Sequence, residues 1–245
     1  MSDKPARAIG FFSAVFLSLS IIIAGWFISY GLVYHGSYND FVTVKGLAMQ
    51  NVEADLVVWP IRHVATGNDL PAVQQQIENN TQKITAFLRA QGIGDSDIAT
   101  RKIDVTDLLA QSYRQNNVGQ ARFIVAETIT VRTENIDAID KANQNLGDLL
   151  KQGISLSREN GSGNPEYIFT KLNDIKPPMI AEATKSARQS AEQFAKDTGA
   201  AVGDIKQASQ GIFQILPRDS NNGYQERQQR HKTVRVVSTL KFYLD

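Results

Sequence analysis

Met179-Ile180-Ala181-Glu182-Ala183-Thr184-Lys185-Ser186-Ala187-Arg188-Gln189-Ser190-Ala191-Glu192-Gln193-Phe194-Ala195-Lys196-Asp197-Thr198-Gly199 is the stretch on which the fold turns. Ala183, Ala187, Ala191 and Ala195 recur at i+4, which stacks their methyl groups on one face of a helix. So narrow a stripe lets the helix backbone lie close on a sheet, and Gly199 supplies the stop. The helix is predicted to begin at Pro177-Pro178 and to end near Asp197. Strands of the period-two kind flank it, Tyr167 to Leu172 before and about Asp204 to Leu216 and Thr233 to Leu244 after, the last two separated by the polar loop Pro217–Lys232.

Further upstream the same alternation of strand and helix recurs. Phe41-Val42-Thr43-Val44-Lys45-Gly46 and Val52 to Arg62 read as two strands with a tight connection near Ala48–Asn51. Asn68 or Asp69 caps a helix with Pro71 in its first turn, Ile77, Ile84 and Leu88 on its apolar stripe, and Gly92 and Gly94 at its end. Ile98 to Leu108 and Arg122 to Arg132 form a hairpin around the polar tip Gln111–Ala121. A second helix, about Ile136 to Gln152, stops at Gly153 and leads into the short strand Ile154 to Arg158, with a turn at Asn160–Pro165. Three helix ends share a pattern: Leu88 to Ile93, Leu149 to Ile154, and Phe194 to Gly199, each with a glycine before the next strand. These units predict an α+β fold, mostly antiparallel sheet with helices packed on one face.

The order Val42-x-Val44-x-Gly46, Val52-x-Ala54-Asp55, Leu88-x-Ala90-x-Gly92-Ile93 and Asp97-Ile98-x-Thr100 resembles the opening of a SIMPL domain. The alanine-striped helix with Gly199 and its following strand is similar to that family's C-terminal half. The resemblance spans about Phe41 to Asp245. It implies a bacterial, envelope-exported protein linked to stress tolerance, able to form large homo-oligomeric rings, with no catalytic motif to carry over. Pro60, inside the second strand, departs from the pattern by removing a ladder donor.

Ahead of this body runs an uncharged stretch from Ala8 to Tyr34. It is long enough to cross a hydrocarbon core of about 30 Å as a helix, the structure that satisfies its own backbone in lipid. The expected division is a cytoplasmic tail at 1–8, a transmembrane helix at 9–34, a linker at 35–40 and an extracytoplasmic domain at 41–245. Trp26, Tyr30 and Tyr34 are spaced at i, i+4, i+8 and are the expected membrane-interface residues. A cleaved signal peptide is the alternative, but its apolar core is usually about 7–15 residues and is followed by small residues. Here Ile28 to Leu32 offers large ones. Lys4 and Arg7, against no Lys or Arg from Ile9 to Asp40, place the N-terminus in the cytoplasm and the domain outside the inner (cytoplasmic) membrane.

Twenty-six Lys and Arg against 25 Asp and Glu leave no basic excess of the kind nucleic acid requires. No cysteine is present, so disulfides and thiolate ligands are excluded. His35, His63 and His231 share no metal-ligand spacing and read as surface histidines. Glu53 and Asp55, placed on one strand face, form a carboxylate pair that a solvated face explains. The loop Asn160–Asn164 lacks the lysine and following helix of a phosphate loop, and no G-x-S-x-G elbow occurs. No catalytic residue, cofactor site or metal site is therefore expected. The two polar tips, Gln111–Ala121 and Arg218–Lys232, remain as contact surfaces, with Tyr113, Arg114, Tyr224, Arg227 and Arg230 as candidate oligomer or partner contacts. The resulting expectation is a membrane-anchored, non-enzymatic scaffold or interaction protein. It would assemble as a homo-oligomeric ring or cage on the lipid bilayer, with another envelope protein as a further partner. An envelope small-ligand binder or enzyme with a noncontiguous site is the alternative.

Overall fold

The computed structural model describes residues 16–30, 40–110, 121–157, 163–219 and 226–244. The described chain is α+β with antiparallel pairing and divides into two compact units, between which it passes at 48/49, 179/180, 212/213 and 235/236.

The first unit contains a helix over residues 16–30 (α1), the first part of β1 (Phe41–Glu53), most of α5 (Leu172–Thr198), β7 (Val202–Gln210) and the end of β9 (His231–Leu244). β9 lies between β1 and β7, and β7 pairs with it antiparallel through two register shifts. Ala183, Ala187, Ala191 and Ala195 are all buried, as their spacing predicts. Gly46 explains why small residues are needed there: a Cβ at this position would meet the Ala183 carbonyl and lie 2.5 Å from the Ala187 backbone nitrogen. Helix and strand backbones thus touch directly, and Val44, Leu240 and Phe242 fill the flanks. Every residue of α1 is exposed. At about 1.5 Å per residue its 15 residues reach roughly 22 Å. Among the described residues no helix is long and apolar enough to cross a membrane. Residues 9–15 and 31–34 of the expected span lie outside the described residues.

The second unit holds β2 (Leu56–Gly67), α2 (Leu70–Ala90), β3 (Ile98–Asp107), β4 (Phe123–Thr133), α3 (Ile136–Gln144), α4 (Gly147–Lys151), β5 (Ser155–Leu156), β6 (Glu166–Ile168) and β8 (Gln214–Pro217), with the remaining parts of β1, α5 and β9. Its sheet runs β3-β4-β2, and β2 is met on its far side by β6 at Leu56–Val58 and by β5 at His63–Val64. Pro60 falls in the interval that neither short strand pairs, so its missing N–H is tolerated although β2 is internal to the sheet. Trp59, Ile61, Ile84, Leu88, Ile129 and Ile139 form the core, and the Trp59 indole Nε1 donates to the Gly163 carbonyl at 3.0 Å. Asp69 caps α2 by accepting from the Ala72 amide at 3.3 Å.

The three similar helix ends are three copies of one capping geometry. Ile93, Ile154 and Ala200 donate their amides back to Leu88, Leu149 and Ala195, at 3.0, 3.2 and 2.9 Å. Gly92, Gly153 and Gly199, with φ of 91°, 82° and 77°, donate to Arg89, Leu150 and Lys196. This pair of bonds needs a left-handed residue after the helix and rewards an apolar one beyond it, so local capping accounts for the recurrence.

Several boundaries differ from the predicted ones. The break between the first two strands comes at Ala54–Asp55, where Asp55 accepts from the Thr170 amide and hydroxyl, both at 2.6 Å, and leaves the ladder. The predicted helix at 136–152 is two helices, α3 and α4. β7 and β8 are two strands, interrupted at Gly211–Phe213, where a Cβ on Gly211 would press on the Val237 carbonyl. α5 starts at Leu172, ahead of its prolines, which lack the N–H groups that would bond to the Asn173 and Asp174 carbonyls.

Candidate functional site

Two polar clusters stand out in the second unit. The first is buried. β2 contributes His63, α2 contributes Thr81 and β4 contributes Glu127; His63 lies opposite Glu127 in the ladder, so both project to the helix-covered face. The Thr81 hydroxyl donates to Glu127 Oε2, and His63 Nε2 lies 3.3 Å from Thr81 Oγ1 and 3.6 Å from Glu127 Oε2. Arg101, half exposed on β3, closes the group by donating its Nε to Glu127 Oε1 at 2.6 Å.

Proton bookkeeping assigns this network. The one hydroxyl proton of Thr81 goes either to Glu127 Oε2 or to the Ile77 carbonyl 2.9 Å away, and in both cases Oγ1 is left to accept from His63 Nε2–H. His63 Nδ1 is then an acceptor, and it has no hydrogen-bond partner among the described residues. Burial pushes the His63 pKa down; the attraction of Glu127 offsets this only in part, and Arg101 adds to the fall. The imidazole is accordingly neutral near pH 7. His63 is buried, not a surface histidine as its sequence context predicts. The reason is the closed helix-on-sheet layer, which a position near a strand end does not disclose.

The second cluster centres on Arg230. Its guanidinium donates to Glu53, to Asp137 Oδ1 at 2.7 Å and to Asp140 Oδ2 at 2.9 Å. The Arg230 carbonyl accepts the Ala54 amide at 2.9 Å, and Tyr167 donates its hydroxyl to Asp140 at 2.5 Å. Chiefly through Asp137, with Glu53 and Asp140 assisting, the carboxylates raise the Arg230 pKa. Burial first, and then the bond to Asp140, raise that of Tyr167. Three carboxylates converge here, but the cation between them is the guanidinium itself. Among the described residues no group of His, Cys, Asp and Glu is arranged to hold a metal ion. Glu53 and Asp55 do not share a strand face: one binds Arg230, and the other lies between strands, bound to Thr170.

The predicted contact residues separate accordingly. Arg230 is engaged within its own unit. Arg227 Nη1 is 3.5 Å from Glu166 Oε2, and Tyr113, Arg114 and Tyr224 lie outside the described residues. Trp26 and Tyr30 are exposed on α1, and Tyr34 lies outside the described residues. Lys232, assigned to the polar loop by sequence, is fully buried, with Nζ donating to Glu226 Oε1 at 2.5 Å and to the Glu226 carbonyl at 2.7 Å.

The sheet edge is where the second unit is open. β3 has no strand on its outer side among the described residues. Ile103 and Val105 pair with Glu127 and Val125, both buried, so all four share the face on which α2 packs. α2 covers β2 and β4, and Ile103 and Val105 remain 57% and 55% exposed. The edge therefore presents unpaired backbone beside an uncovered continuation of the core.

Comparison with curated proteins finds no match. Among solved structures the chain is similar to the crystal structure of a hydrolase from Listeria innocua, at 8% identity over 80% of this chain and 91% of that one. The TM-score of 0.24 is too low for a conclusion about fold or activity. The SIMPL family, described as "Protein of unknown function (DUF541)", matches residues 42–240, and the chain belongs to that family.

Proposed function

We propose that this SIMPL-family protein is a membrane-anchored scaffold of the bacterial envelope that assembles with copies of itself through the outer edge of β3. The open edge carries the reading: Ile103 and Val105 lie exposed on the core face beside an unpaired strand, and a second copy would cover both. In the second unit the polar clusters bind their own members, which supports a role other than catalysis. Among the described residues of the second unit, one cavity, bounded by Trp59, Ile61, Arg62, Leu146, Leu156, Ser157 and Gly163, measures about 20 Å³, room for one water molecule rather than an organic ligand. The anchor is the uncharged run at 9–34, of which α1 is the described part, with an inner-membrane location and the domain outside the cytoplasm. Its support is the absence of charge together with the exposure of apolar side chains along α1. A closed ring lets every anchor enter one membrane face.

The test is light scattering of the full chain in mild detergent. Wild type is expected to run as a uniform oligomer. Ile103→Lys with Val105→Lys should reduce it to protomers with unchanged far-ultraviolet circular dichroism. Deleting Asn116–Gln120 from the hairpin tip should weaken it too. A monomeric wild type, or an oligomer indifferent to the paired lysines, would refute assembly through β3.

A further inference from the structure

The sheet of the first unit has two unlike faces. α5 covers the one bearing Val44, Gly46, Leu240 and Phe242. Strand alternation sends Phe41, Lys45, Lys241 and Tyr243 to the other. Lys206 of β7 joins them, its Nζ 4.6 Å from the centre of the Phe41 ring and 5.0 Å from that of Tyr243, and Lys241 Nζ lies 5.5 Å from Phe41. Phe41 and Lys45 are exposed. The strand segments of this unit carry Lys45, Lys206 and Lys241 and one acidic residue, Asp204, with Asp40 directly ahead of Phe41. A cation held over an aromatic ring keeps its positive charge while losing part of its hydration, so it meets an anion at lower desolvation cost.

We infer that this lysine–aromatic face docks on an anionic phospholipid surface. The ammonium groups would meet the phosphates, and Tyr243 would enter the headgroup layer, where amphipathic rings are favoured, with the apolar Phe41 ring beside it. Two observations select a lipid surface as occupant. Its charge is complementary to the lysine excess. Residues 31–40, which join α1 to Phe41, reach at most about 36 Å when fully extended, so the first aromatic of the face cannot travel far from an anchor at α1. The second of these arguments rests on the anchor reading above; the charge of the face does not.

The experiment places the full chain in lipid nanodiscs, either phosphatidylcholine alone or phosphatidylcholine with phosphatidylglycerol, and measures acetylation rates of individual lysines by mass spectrometry. Lys45, Lys206 and Lys241 are expected to react at least about fivefold more slowly in the anionic discs, with high salt restoring the rate, while Lys83 and Lys151 serve as unaffected references. Removing one lysine should lower the docking equilibrium about fivefold, which corresponds to ~1 kcal/mol per basic residue near an anionic surface. Equal rates in both discs overturn the proposal while leaving the anchor intact. Slowing that follows protein concentration and ignores lipid charge assigns the face to a second copy, which also overturns it. If the chain elutes free of discs, the anchor reading fails. Retention of that same chain on phosphatidylglycerol vesicles, lost in Lys206→Ala/Lys241→Ala, would then uphold the face on its own, and no retention would overturn it.

Discussion

Replacing Gly46 by alanine tests the direct backbone contact between β1 and α5. The new Cβ would collide with the Ala183 carbonyl and lie 2.5 Å from the Ala187 nitrogen, where an ordinary contact needs about 3.5–4.0 Å. Both partners are backbone, so no rotamer can relieve the overlap, and α5 must withdraw by more than about 1 Å. A gap of that size forfeits about a quarter to a half of each dispersion contact it opens. Ala187, Ala191, Leu240 and Phe242 all pack at this seam. Overpacking usually costs about 1–3 kcal/mol, and the rigidity of both surfaces places Gly46→Ala near ~3 kcal/mol. For a chain of this size that lowers the melting temperature by about 6–12 °C, measurable by scanning calorimetry. Gly147→Ala is the control: it opens α4 with nothing within 4 Å of a new Cβ, and higher helix propensity should leave stability equal or raised by up to ~1 kcal/mol. If Gly46→Ala melts with wild type, the close approach does not exist and the alanine stripe needs another explanation.

Thr81→Val removes the donor between His63 and Glu127 while keeping the volume, and should cost about 1–3 kcal/mol in urea titrations; an unchanged midpoint would show the network to be energetically silent. Because burial depresses the His63 pKa, the unfolded chain binds the proton first. His63 should therefore stabilise the fold fully above about pH 6.5, and that stability should fall as pH drops from there toward its lower folded value. In His63→Gln that portion of the pH profile should flatten, and a profile identical to wild type would count against a buried neutral imidazole. Arg230→Met leaves Glu53, Asp137 and Asp140 facing one another without their cation, so the variant should melt below wild type and the loss should shrink at high salt, which screens the repulsion; a loss indifferent to salt would count against charge as its cause. Ile21→Arg with Ile22→Arg should abolish membrane insertion, each charge costing about 2.5–3.5 kcal/mol at a helix centre; carbonate-resistant fractionation of the double variant would contradict the anchor.

Features governed by near neighbours in the chain were the readable ones. Asp69 caps α2 and Gly92, Gly153 and Gly199 end helices because each depends on residues within one or two turns; the alanine stripe is legible from its local i+4 spacing, although the strands that bury it are distant in the chain. The β1–β2 break was misplaced because the residue that makes it, Asp55, is held by Thr170, 115 positions away. Pro177 and Pro178 gave a plausible helix start, but their missing donors left the preceding turn in place. The His63–Thr81–Glu127 network was invisible for a similar reason. Its members come from two strands and a helix, and only the β2–β4 register brings the histidine and the carboxylate opposite each other. The exposed Ile103 and Val105 follow strand alternation, yet nothing local says that α2 stops covering the sheet at β4.

The chain carries two tryptophans, and their surroundings make them separate optical reporters. Trp59 is fully buried with its indole N–H bound to the Gly163 carbonyl, whereas Trp26 on α1 is 71% exposed. Emission from Trp59 should be blue-shifted and shielded from aqueous iodide, and it should collapse toward red only when the second unit unfolds. Emission from Trp26 should shift on transfer from water to lipid and respond to brominated acyl chains. A Trp26→Phe protein therefore follows folding alone, and a Trp59→Phe protein follows membrane entry alone, without any attached dye.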